Sequence, residues 1–71
     1  MSYKGTETFQ ILVKDICVAS IVNEWVERKI QTDIRLRRAK TKGHTVFETK
    51  DVMFAYFIHR HNPDCQIHIK E

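Results

Sequence analysis

The alternation of apolar and polar side chains sets out most of this chain. From Phe9 to Lys14, the residues Phe9, Ile11 and Val13 alternate with Gln10, Leu12 and Lys14, the period of two expected of a half-buried strand. Asp15 can accept backbone N–H bonds at a helix start. The stretch after it, ICVASIVNEWVERKI, places Val18, Ile21, Val22, Trp25 and Lys29 on one helical stripe and turns Asn23, Glu24, Glu27 and Arg28 toward water. Gln31, Thr32 and Asp33 end that pattern. Two further alternating runs, IRLRRAK and TKGHTVFET, meet at Lys42-Gly43, which predicts a β-hairpin with a two-residue loop. With Thr41 facing His44, the register sets Arg38 opposite Phe47, Arg37 opposite Glu48 and Leu36 opposite Thr49. Leu36 and Phe47 then face a core, while Arg35, Arg37, Ala39, His44, Val46 and Glu48 face away from it. Arg38 falls on the core side, where a long side chain reaches water past the sheet edge. Thr49 or Asp51 caps a second helix, VMFAYFIHRH, which stops before Asn62-Pro63-Asp64 because proline breaks the helical ladder and disfavours helix at the residue before it. Cys65, Ile67 and Ile69 finally alternate with Gln66, His68 and Lys70 as a last strand.

The element order is thus β-α-β-β-α-β. It predicts an α+β, ferredoxin-like plait over residues 9–71, following a loose polar lead-in over residues 1–8. Right-handed crossovers place the four antiparallel strands in the order 4-1-3-2, with both helices on one face and the other face open.

Composition narrows the class. A chain of 71 residues holds one domain at most, and 42% apolar content with four Phe, two Tyr and one Trp predicts a folded globule despite 30% charged residues. Lysine and arginine total 12 against 9 acids, a mild excess that suits acidic partners without requiring them. Only two cysteines, the lack of a signal-peptide pattern and the shortness of every apolar run predict a cytoplasmic protein with reduced thiols and no membrane span.

Two segments are similar to the signatures of the RNA recognition motif family, whose topology is the same plait. Ile11-Leu12-Val13-Lys14-Asp15-Ile16 resembles its strand-one hexamer, with Leu12 where the family carries a stacking aromatic. Lys42-Gly43-His44-Thr45-Val46-Phe47-Glu48-Thr49 resembles its strand-three octamer, keeping the Lys-Gly opening and the inward Phe47 but holding His44 and Val46 at the outward stacking positions. The resemblance implies a sheet that takes RNA or single-stranded DNA on its open face. The residues available for it are Lys14, Arg35, Arg37, His44, His68 and Lys70.

Enzymatic readings find no support. An acylphosphatase-like enzyme needs a glycine-containing phosphate loop with arginine after the first strand, and Lys14-Asp15-Ile16 has neither. A copper-chaperone-like domain needs two cysteines in that loop, where only Cys17 stands. Nucleophile–base patterns, phosphate loops and paired carboxylates do not occur elsewhere, and no cofactor is expected. Cys17, His59, His61 and Cys65 fall at one end of the plait and are ligand types that zinc accepts. Their spacing matches no compact zinc signature, however, and histidines also suit a helix C-terminus for its dipole, so the expectation is no metal.

The remaining feature is VMFAYFI, apolar around the whole circumference of a short helix. A helix on a sheet buries one stripe. Some of Met53, Phe54, Tyr56 and Phe57 therefore serve either a small core short of buried area or a docking and self-association surface. The function expected is a small non-enzymatic regulator that docks on a host protein and inhibits or redirects a larger machine, as phage and mobile-element proteins do, with homodimerisation open. Nucleic-acid binding on the sheet is the alternative.

Overall fold

The computed structural model describes residues 7–70. It has β1 (Thr8–Lys14), α1 (Asp15–Glu27), β2 (Ile34–Arg38), β3 (His44–Thr49), α2 (Val52–His61) and β4 (Gln66–Lys70) in chain order. All the strand pairs are antiparallel, in the order β2-β3-β1-β4. Read from its other edge this is the predicted 4-1-3-2 plait. Of the expected lead-in, residues 1–6 lie outside the described residues, whereas Glu7 is buried and Thr8 already belongs to β1.

The sheet's inner face carries the core. Phe9, Ile11 and Val13 of β1 and Phe47 of β3 are buried beneath Ile21 of α1 and Phe54, Ala55 and Ile58 of α2, each large side chain contributing about 1.5–3 kcal/mol by leaving water. Trp25 meets Phe54 edge-on at 5.4 Å between ring centroids and so joins the two helices above the sheet. Both helices lie over the central strands β1 and β3, and among the described elements neither helix backbone approaches the edge strands β2 and β4 as closely.

The hairpin differs from its prediction in register. Ala39 N–H donates to the His44 carbonyl, leaving Lys40 to Gly43 as a four-residue loop, and Arg37 lies opposite Val46 instead of Glu48. Similarly Leu36 lies opposite Phe47 and Arg38 opposite Thr45. A two-residue type I′ loop needs φ > 0 at both central positions. Here Gly43 alone adopts it, at 78°, and Lys42 does not. The wider loop moves every pair by two residues, an even step, so each side chain keeps its predicted face. The loop is tied down by Asp15, whose N–H donates to the Gly43 carbonyl at 2.9 Å and whose carboxylate accepts from the Thr45 hydroxyl at 2.7 Å. Asp15 is consequently the first helical residue and makes no side-chain cap.

α1 is shorter than its apolar stripe predicted, ending at Glu27 because Lys29 turns to φ 54°. α2 has the predicted bounds. Asp51 caps it by accepting from the N–H groups of Met53 at 2.9 Å and Phe54 at 3.4 Å, while its own N–H donates to the Thr49 hydroxyl.

Candidate binding surfaces

The open sheet face is built in cross-strand rows. One row runs Arg35, Glu48, Gln10, His68, and the next runs Arg37, Val46, Leu12, Gln66. Beyond them Lys14 lies opposite His44, and Thr8 opposite Lys70. Lys14, Arg35, Arg37, His68 and Lys70 are all exposed, so the sheet does gather the predicted basic set on one face. At its middle, however, sits Glu48, accepting from the Gln10 amide at 2.7 Å and 3.6 Å from Arg37 Nε. The Gln10 hydrogen bond, reinforced by the charges of Arg37, Arg35 and Lys70, holds the Glu48 carboxyl below its ordinary value near 4.5. This fixed anion takes up part of the face's positive charge.

The stacking positions offer little to a base. Val46 is only 9% exposed, Leu12 is half-buried, and half-buried His44 has its Nδ1 3.0 Å from the Lys42 carbonyl. Phe9 and Phe47 point into the core on the opposite face.

On α2 the apolar circumference divides. Phe54, expected in the docking set, is 2% exposed and belongs to the core, because it lies on the flank where Trp25 of α1 packs. Phe57 is half-buried between Phe54 and His61, with ring centroids 5.3 and 4.9 Å away. Met53 and Tyr56 are 70% and 60% exposed, so these two carry the accessible part of the predicted surface. They sit on a capped helix whose inner residues Phe54, Ala55 and Ile58 are buried.

The four residues weighed for zinc do not come together. Among the described residues no group of three or more His, Cys, Asp or Glu is placed to hold a metal ion. His61 turns toward α1, its Nε2 3.3 Å from Glu24 Oε1 and its Nδ1 3.4 Å from Ser20 Oγ. His59 is exposed, and Cys17 and Cys65 pack against the core as free thiols. Burial pushes the Cys65 thiol up, which keeps it protonated at neutral pH.

Sequence reasoning missed two further surfaces. Ile67 and Ile69 lie on the core side of β4, opposite Ile11 and Phe9, yet they are 42% and 45% exposed. Leu36 on β2 is exposed in the same way beside Val18 of α1. Alternation assigned these residues to the core correctly as a face. That the helices centre over β1 and β3 is a matter of helix placement, which no residue pattern in the strands records. No helix among the described residues is long and apolar enough to cross a membrane. Comparison with protein-family models, curated proteins and solved structures returns no significant match.

Proposed function

We propose that this chain is a non-enzymatic binding module that modulates a larger assembly by docking on another protein through the outer surface of α2. The observation that carries the reading is the exposure of Met53 and Tyr56 on a capped helix whose inner side is buried, these being residue types enriched at interface centres. The alternative, single-stranded nucleic acid on the sheet, draws on the exposed cations Lys14, Arg35, Arg37 and Lys70. Against it stand the buried Val46 and the ionised Glu48, since stacking supplies much of the affinity for single strands.

The test is capture from lysate by the tagged chain, with and without nuclease, beside the Met53→Glu/Tyr56→Glu and Arg35→Ala/Arg37→Ala variants. Docking through α2 requires the same nuclease-resistant protein to be held by the wild type and the arginine variant and lost from the helix variant, with all three melting alike. Capture abolished by nuclease and by the arginine substitutions would transfer the function to the sheet.

A further inference from the structure

The two edges of the sheet differ in what each would present to a second copy of the chain. β2 and β4 are the outer strands, and the outward backbone groups of an edge strand are a template for another strand. We propose that β4 is a self-association edge, pairing antiparallel with the β4 of a second copy about a two-fold axis at His68 and joining the two sheets into one.

The sequence of β4, Gln66-Ile67-His68-Ile69-Lys70, is self-complementary in that register. Ile67 lies opposite the second copy's Ile69, and by symmetry Ile69 opposite the second copy's Ile67, all on the face that continues the core. On the open face Gln66 meets Lys70, and His68 meets its own counterpart. No lysine, arginine or carboxylate meets its like. The four isoleucines would cover one another's remaining exposed surface, 42% at Ile67 and 45% at Ile69, which gives a use to apolar residues left part-exposed on the core side of an edge strand. Among the described strands β4 pairs with β1 alone, so its other side is a sheet edge that a second strand can join.

The other edge excludes the same partner. Two copies of β2 paired about Leu36 would set Arg35 against Arg37 twice, with Arg38 adjacent, and like charges directly opposite are destabilising. Pairing β2 with β4 would bring those arginines toward Lys70 and would leave edges free, propagating an open chain of copies instead of a closed dimer. Only the β4 pair is both charge-compatible and closed. Met53 and Tyr56 are not part of the pairing strand, so its test is separate from that of partner docking.

Sedimentation of the full chain from micromolar to near-millimolar concentration reads the assembly. A concentration-dependent dimer is expected, with Ile67→Lys and Ile69→Glu each weakening it by roughly a hundredfold, because every substitution acts twice across the axis. Combining the two substitutions restores the dimer, since the register then sets each introduced lysine opposite an introduced glutamate. His68→Cys in a Cys17→Ser/Cys65→Ser background should yield a disulfide-linked dimer under mild oxidation, because directly opposed residues bring their Cβ atoms to about 4.5–5.5 Å, from which a small approach of the two strands reaches the roughly 3.5–4.5 Å of a disulfide. This crosslink decides the matter alone if a single isoleucine variant loses its folded spectrum. Tyr56→Glu should leave the dimer intact. A chain monomeric throughout, a dimer that survives both single isoleucine substitutions in folded variants, or one lost with Tyr56→Glu would overturn the proposal.

Discussion

The indole N–H of Trp25 donates to the carbonyl of Ile30 at 2.8 Å, and the N–H of Ile30 returns to the carbonyl of Trp25 at 3.2 Å. Together with the bond from Lys29 N–H to the Val26 carbonyl, this is a Schellman closure of α1, with Lys29 in the left-handed position that glycine normally fills. A side chain there costs free energy that glycine does not, offset in part by the greater freedom of glycine in the unfolded chain. Lys29→Gly should therefore stabilise the fold by about 0.5–1 kcal/mol. Urea unfolding followed through Trp25, the single tryptophan, measures it. A loss of stability would mean that the lysine side chain contributes more at the helix end than its backbone strain removes.

Gly43 makes the reciprocal case. A Cβ built there meets nothing within 4 Å, so its φ of 78° is the only obstacle to a side chain. Gly43→Ala should cost about 1 kcal/mol, and Gly43→Asn distinctly less, because asparagine tolerates the left-handed region. Equal costs for the two would point instead to a contact made by the loop.

Asp51 holds the first turn of α2, and with it Met53 and Phe54, whose N–H groups it accepts. Asp51→Ala should destabilise the chain by about 1 kcal/mol and Asp51→Ser by much less. Chemical denaturation of both variants separates loss of the cap from loss of charge.

Much of this architecture is legible in the sequence because its signals are local. Phe9, Ile11 and Val13 declare a strand by alternation, Asp51 and Pro63 bracket a helix by capping and by ring geometry, and the order of elements leaves few topologies. The hairpin register was not legible. Lys42-Gly43 reads as a turn from its composition, but the choice between a two-residue and a four-residue loop rests on whether Lys42 takes positive φ and on the tether from Asp15, a residue 28 positions before Gly43. The candidate surface was legible in part for the same reason. Met53 and Phe54 are neighbours of like chemistry, and the side of α2 that meets the sheet and Trp25 decides that one is exposed and the other core.

Glu48 makes the stability of the fold depend on pH. In the folded chain the Glu48 carboxylate accepts from Gln10, lies opposite Arg35 and pairs with Arg37, so its pKa falls below the ordinary value near 4.5. A carboxyl whose folded pKa is depressed binds protons more weakly than in the unfolded chain. The stability it contributes is fully present above the unfolded value, and it is lost as pH falls toward and through the lower folded value. The unfolding midpoint of the wild type should accordingly drop on acidification from pH 7, and Glu48→Gln should lose less over the same range, the difference between the two isolating this residue from the other acids. Because the Gln10 hydrogen bond is the largest cause, Gln10→Val should raise the Glu48 titration midpoint, followed by carboxyl-carbon NMR, further than Arg37→Ala does. Identical acid slopes for wild type and Glu48→Gln, or a larger effect from the arginine, would show that the row joining Gln10, Glu48 and Arg35 across the sheet does not set this charge.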